Sequence, residues 1–392
     1  MTYRKRTRDE HLRSDGSPKR ILALDGGGLR GVLSLGFLDQ IEEILRGRHG
    51  GDKSFRLSHY FDLIAGTSTG SIIAAALALG WSVQEIRKTY FELGENVFEK
   101  SLFRLGLFRA KYDESRLSAK LRTAFGKNSR GGEMKLGDPD LDTGLLVMTK
   151  RIDTGSPWPI SNNPRGKYFA SRPKGTIGNG DYPLWQVVRA STAAPSYFEP
   201  ETIKIAELHG HSTQEGEFVD GGISPFNNPA LQAVMYATMD GYRIGWPTGA
   251  DRLLVVSVGT GAADPTVEGS WLAAKDALKS LLALMNDCAA LQETLLQWMS
   301  SSPTARSIDR ELGTLQHDLV APAPLLSYLR YDVDLRAESV LQLKPNLDDG
   351  KIADLSTMDS PENMEVLAEL GVLGAQRQVR AGDFASHFDL AS

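Results

Sequence analysis

The sequence predicts an α/β protein: a three-layer α/β/α domain with a central, largely parallel sheet and a C-terminal helical extension packed on it. Two stretches carry that prediction. Residues 20–25 (Arg-Ile-Leu-Ala-Leu-Asp) form a compact apolar strand. The glycine-rich Gly26-Gly-Gly-Leu-Arg-Gly31 follows, then residues 32–45, where Leu35, Leu38, Ile41, Ile44 and Leu45 fall at helical spacing. Residues 61–65 form a second short apolar run. Gly66-Thr-Ser-Thr-Gly70 follows at once, then the Ala- and Leu-rich residues 71–79, closed by Gly80. A helix between these two strands is the crossover that a parallel pair requires. If those strands are neighbours, both glycine turns emerge at the same carboxyl edge.

Composition bounds the rest. The chain has 392 residues, 41% of them hydrophobic and 24% charged, as in a soluble globular protein. A formal net charge of −5 argues against a nucleic acid polymer as the main partner. The single cysteine, Cys288, permits no intrachain disulfide and no multi-cysteine metal site. The N-terminal residues are polar and basic, without an apolar signal core, and the longest apolar run, 72–79, is too short to span a bilayer. The expectation is a cytoplasmic protein that touches the inner membrane surface peripherally. Residues 1–20 hold seven Lys or Arg against three acids, so 1–19 is expected as a disordered basic arm, either a solvated tail or a weak contact for anionic headgroups.

The two glycine turns hold the candidate chemistry. Strand, Gly-x-Ser-x-Gly and helix in succession place Ser68 at a sharp turn, at the positive end of the next helix. Gly66 and Gly70 leave room where side chains would obstruct it. The competing reading is a serine that merely caps the helix. The earlier turn, Gly26-x-Gly28-x-x-Gly31, also satisfies the dinucleotide-binding pattern. That use needs an acid ending the following strand. Asp52 sits in a polar loop and Asp62 begins its strand, so neither fits. The other use of such a turn is to present backbone N–H groups to an oxyanion.

The remaining elements follow in order. Ser82-Val-Gln-Glu85 is a capping box opening a helix to about Phe98. Residues 102–112 mix apolar and basic side chains and read either as a lid or as a loop covering the core. Residues 144–152 read as a strand, 153–167 as a shaped loop rich in proline and glycine, and 181–189 as the start of a helix. Asn228-Pro229 opens another helix, with the amide as cap. Ala274, Leu278, Leu281, Met285, Cys288, Leu295 and Met299 form the core stripe of a long helix that Gln292 interrupts. Residues 328–335 read as a strand and 360–371 as a capped helix.

Five blocks occur in order: Asp25-Gly-Gly-Gly-Leu-Arg-Gly31, Gly66-Thr-Ser-Thr-Gly70, Ala190-Ser-Thr-Ala-Ala-Pro195, Asp220-Gly-Gly222 after an apolar strand, and the 253–261 strand and turn. The set resembles the bacterial patatin-like phospholipase family over roughly residues 20–261, which implies a catalytic domain over 20–265 and leaves 266–392 as a mainly helical extension packed on the core. The resemblance implies a lipid acyl hydrolase of the phospholipase A or lysophospholipase type. It would act on membrane phospholipids or other lipid esters, without metal or cofactor, through a Ser–Asp dyad. Ser68 would be the nucleophile and Asp220 the base, followed by Gly221 and Gly222. The oxyanion loop would be Gly26, Gly27, Gly28, Leu29, Arg30 and Gly31, with the N–H groups around Gly27, Gly28 and Leu29 as donors. Members of the family also serve as antiphage effectors switched on by cyclic nucleotides, which makes a cyclic nucleotide a candidate activator. None of His11, His49, His59, His209, His211, His317 and His387 follows a strand in a glycine turn, whereas Asp220 does. Asp25 is the alternative base, and Arg30 either braces the loop or meets a headgroup phosphate. Two other readings stay open: a nucleotide-binding module, which would bind without hydrolysing an ester, and a non-catalytic scaffold, which would carry a broken motif.

Overall fold

The computed structural model describes residues 3–97, 114–172, 175–195, 197–207, 213–262 and 273–391. The first half runs α1 (Arg8–His11), β1 (Lys19–Leu24), α2 (Gly31–Arg48), α3 (Leu57–Tyr60), β2 (Leu63–Thr67), α4 (Thr69–Ala78), α5 (Val83–Val97), α6 (Glu114–Phe125), β3 (Gly144–Arg151), β4 (Ser156–Ser161) and α7 (Leu184–Ser191). Next come β5 (Glu201–Glu207), β6 (Thr213–Asp220), α8 (Ala230–Thr238), β7 (Leu253–Val258), α9 (Ala273–Met299), β8 (Ser300–Ser301), β9 (Leu326–Tyr331), α10 (Ala337–Leu343), α11 (Asp349–Asp354) and α12 (Met364–Gln378).

One mixed sheet runs through the molecule in the order β5-β6-β3-β2-β1-β7-β9-β8, with β4 paired to β3. From β3 to β8 every pairing on this path is parallel, while β4, β5 and β6 are antiparallel additions. β1 is central and wholly buried, so its apolar run serves both faces. Leu22 and Leu24 pack with α2, α4 and α12 on one side; Ile21 and Ala23 pack with α8 and Leu296 of α9 on the other. This alternation at period two produces the three layers.

Three expectations change. Residues 3–19 are not a disordered arm. Thr7 and Glu10 cap α1, Tyr3 Oη lies 2.6 Å from His59 Nδ1, and Arg6, His11 and Arg20 converge on the buried Asp62 carboxylate at 2.8, 2.9 and 2.9 Å. The arm's basic residues neutralise a carboxylate at the amino edge of the sheet, which is also why Asp62 has no part in binding a dinucleotide. The shaped loop over 153–167 contains β4. Its Pro157 and Pro159 lie two apart, so both missing donors fall on one edge of a strand that pairs only with β3 among the described residues. Gln292 does not interrupt the buried face of α9. It is buried with Leu296 and Gln297, its amide donating to Pro225 O, while Leu284 and Leu291 stay exposed. Ala274, Leu278 and Leu281 of that stripe lie outside the described side chains, and the lid-or-cover segment 102–112 lies outside the described residues. Within residues 266–392, β9 lies where a strand over 328–335 was expected; with β8 it continues the central sheet, and α12 packs along α2. No helix among the described residues is long and apolar enough to cross a membrane.

Candidate active site

Ser68 stands between β2 and α4 with φ +53° and ψ −129°, a conformation that side-chain-bearing residues rarely adopt and that tight elbows hold under strain. The flanking glycines permit it. A Cβ on Gly66 would come within 2.4 Å of Gly70 O, and one on Gly70 within 2.4 Å of Leu24 O. The elbow N–H donates to Ser191 Oγ at 2.9 Å, and that hydroxyl donates to Met148 O at 2.6 Å.

Register along β3 explains how Asp220 arrives beside Ser68. β2 ends with Thr67 opposite Met148, and β6 ends with Asp220 opposite Thr149. β2 and β6 run in opposite directions and share one edge of β3, because β4 occupies the other edge at the same positions. They therefore meet end to end. Ser68 Oγ donates to Asp220 Oδ2 at 2.5 Å, Asp220 Oδ1 accepts from Gly222 N at 2.7 Å, and Asp220 N donates to Ala193 O at 3.0 Å. A Cβ at Gly221 would lie 2.4 Å from Met148 O, which keeps that position small. Asp220 is only 4% exposed. Burial pushes its carboxyl up to about 6, while the Ser68 hydroxyl, the Gly222 N–H and Arg189 pull it back.

The glycine loop faces this pair across a pocket lined by Gly27, Gly28, Ser68 and Asp220. Most of its N–H groups are already committed: Gly26 to Asn227 O (3.1 Å), Leu29 to Met358 O (2.7 Å), Arg30 to Gly27 O (3.2 Å) and Gly31 to the start of its own turn. Leu29 is thereby removed from the expected donors, because a carbonyl from the far end of the chain has taken its hydrogen. Gly27 and Gly28 keep N–H groups without a hydrogen bond among the described residues. Their direction is set through the preceding carbonyls, since C=O and N–H point oppositely across a trans peptide. Gly26 O is held by Thr260 Oγ1 at 2.9 Å, and Gly27 O by the Arg30 N–H. Tyr90 Oη donates to Gly28 O at 2.6 Å and fixes the next peptide. The pocket walls are apolar, with Ile72, Leu93, Leu117, Phe198, Ile223 and Met285 among them.

Several sequence candidates lie elsewhere. Both Asp25 carboxylate oxygens are taken by Arg330, so Asp25 is not positioned as a base. Arg30 is buried beside the loop rather than lining the pocket, and its Nε and Nη1 have no hydrogen-bond partner among the described residues. Asp52 caps the exposed Ser54 turn. No histidine lines the pocket among the described residues; His209 and His211 lie outside them. The described residues contain no cluster of three His, Cys, Asp or Glu able to hold a metal.

A family model described as patatin-like phospholipase matches residues 22–234, more than half of the chain. The chain belongs to the patatin-like phospholipase family. It is 28% identical over 260 residues to a cGAMP-activated phospholipase of Escherichia coli (strain TW11681), covering 65% of this chain and 66% of that one. It is 30% identical over 312 residues to an intracellular phospholipase A2 of Caenorhabditis elegans, covering 77% of this chain but 25% of that one. It is 27% identical over 402 aligned positions to patatin-like protein 2 of Oryza sativa subsp. indica, covering 94% and 88%. The chain thus spans a quarter to about two thirds of the length of the first two.

The patatin-like region 22–234 contains Ser68, Asp220 and the glycine loop, but the groups that hold the loop lie largely beyond it. Thr260, Arg330 and Met358 have no local signal pointing at residues 25–29, since each acts across more than two hundred positions of chain. Ser191 and Ala193 fall inside the Ala-Ser-Thr-Ala-Ala-Pro block. That block was legible as part of the family resemblance, but not as the tie between Ser68 and Asp220.

Proposed function

We propose that the protein hydrolyses fatty-acyl esters of membrane phospholipids, as a phospholipase A or lysophospholipase. The observation that carries this is the 2.5 Å contact from Ser68 Oγ to the desolvated Asp220 carboxylate, in an apolar pocket that two open N–H groups face. In the cycle, Asp220 accepts the Ser68 proton as Oγ bonds to the ester carbonyl carbon. The N–H groups of Gly27 and Gly28 receive the developing oxyanion. The carbonyl–alkoxy bond breaks, and the alcohol leaves with the proton from Asp220. Water then attacks the acyl-serine, giving one proton to Asp220; the fatty acid departs and the proton returns to Ser68. Apolar walls suit an acyl chain and exclude water from the intermediate. Peripheral contact with the membrane would deliver the lipid.

Because relatives in Escherichia coli and Vibrio cholerae are described as cGAMP-activated phospholipases, the reading extends to activation by a cyclic dinucleotide, and with it to a role in antiphage defence. The test is to incubate purified protein with mixed phospholipid vesicles in excess EDTA, with and without cGAMP, and to follow fatty acid by mass spectrometry. Fatty acid is expected to appear despite the chelator and to appear faster with cGAMP. No release in either arm, or release only after Ca²⁺ or Zn²⁺ is restored, contradicts the hydrolase as described. Equal rates in the two arms contradict the activator alone.

A further inference from the structure

We infer that Arg330, on β9 and outside the region matched by the family model, is a positioning residue for the oxyanion loop; this rests on the hydrolase reading above. Its guanidinium is buried, 6% exposed, and grips Asp25 with both prongs: Nη1 donates to Oδ1 at 3.1 Å and Nη2 to Oδ2 at 2.7 Å. Asp25 is the residue immediately before Gly26, and its own N–H is tied to Val258 O at 3.1 Å. The start of the glycine loop is therefore clamped at backbone and side chain together.

The same guanidinium reaches the loop by a second route. Nη2 also donates to Asp332 Oδ2 at 3.0 Å, and Asp332 Oδ1 accepts from Gly261 N at 2.8 Å. Gly259 lies so close to Asp332 that a Cβ there would be 2.2 Å from its carboxyl carbon. Between these glycines stands Thr260, whose hydroxyl holds Gly26 O and so aims the Gly27 N–H into the pocket. Ser257 Oγ accepts from Nη1 at 2.8 Å and completes the fork. The remaining nearby carboxylate, Glu293, is 3.9 Å from Arg330 Nε and has its own partner in Arg306. One cation thus fixes both the loop that carries the oxyanion donors and the turn that orients the first of them. Without it, two buried carboxylates would face each other unpaired, and each would have reason to move.

Turnover, KM and melting midpoint of the full chain are compared for wild type, Arg330→Met, Arg330→Lys, Asp25→Asn and the Arg330→Met/Asp25→Asn double variant. Turnover is expressed per fluorophosphonate-titrated serine, so that a loss of folded protein does not count as a loss of rate. Arg330→Met is expected to lower kcat by about 10²-fold with KM within about twofold, because misaligned donors weaken binding of the transition state rather than the substrate. Arg330→Lys should recover part of that loss, keeping the charge without the fork. The double variant should be no slower than the slower single one, because the two side chains act as a unit. If Arg330→Met does not fold, Asp25→Asn carries the test, since it is isosteric and keeps the cation; a kcat loss of about tenfold or more is expected. A kcat per titrated serine within about threefold of wild type, in Arg330→Met or failing that in Asp25→Asn, overturns the inference alone. Wild-type turnover no higher than that of Ser68→Ala overturns the hydrolase reading and this inference with it.

Discussion

Asp220→Asn is expected to reduce ester turnover by about 10⁴-fold or more, to the level of Ser68→Ala, while making the fold more stable at neutral pH. The amide can keep the architecture, with Oδ1 accepting from Gly222 N and Nδ2 donating to Ser68 Oγ in place of the present contacts. It cannot accept the serine proton. Burial raises the Asp220 carboxyl to about 6, against about 4 in an unfolded chain. Between those values the unfolded state gives up its proton while the folded state keeps it. Wild-type stability therefore falls as pH rises from about 4 to about 6, by roughly 3 kcal/mol, and stays lower above that. The Asn variant escapes this loss, so its melting midpoint should exceed that of wild type at pH 8 and approach it at pH 4. Activity runs the other way: wild-type kcat/KM should rise as pH passes through about 6, where the base ionises, and then level off. Working turnover in the variant, or the absence of a pH-dependent stability gain, contradicts the role given to this carboxylate. If the stability gain and the loss of turnover are both seen, the active site is a place where stability is given up for a charged base.

Gly28→Val should lower kcat by about 10²-fold or more. Gly28 lies at φ +59°, where a branched side chain is strained, and a Cβ would stand 2.3 Å from Met358 O. That carbonyl is the acceptor for Leu29 N, so a displaced Met358 also frees the end of the loop. The Gly28 N–H cannot keep its aim under either movement. Circular dichroism and melting midpoint accompany the kinetics, because some loss of stability is built into the substitution. A folded Gly28→Val with wild-type kcat would remove the loop from the transition state.

Local patterns made the two strand–turn–helix units legible: β1 with the glycine loop, and β2 with the elbow, are each written in about twenty consecutive residues. Asp220 was legible through the Asp-Gly-Gly block, as the carboxylate placed where a histidine is usually sought. The manner of its arrival was not, because nothing near residue 220 says that β6 runs against β2 along one edge of β3. The donors were misjudged for a similar reason. Leu29 looks free in a window around the loop, and only residue 358 takes its hydrogen. Asp25, read as the alternative base, is explained by Arg330, 305 positions away. The N-terminal arm looked disordered because its charges appear unpaired in sequence, yet Arg6 and His11 meet Asp62 at the amino edge of the sheet, beside Arg20 of β1. Charge pairing, edge sharing and carbonyl capture are properties of the folded chain, and each of these misreadings turned on one of them.

The central claim is that Ser68 is a nucleophile activated by Asp220. It is tested most directly by covalent trapping: purified protein is exposed to an alkyl fluorophosphonate and the adduct is located by peptide mass spectrometry. The account predicts a single adduct on Ser68. Labelling should be lost in Ser68→Ala, strongly slowed in Asp220→Asn, and as fast as wild type in His317→Ala and His387→Ala. Modification of a different residue, equal labelling of Asp220→Asn, or an unlabelled protein that still releases fatty acid would contradict it.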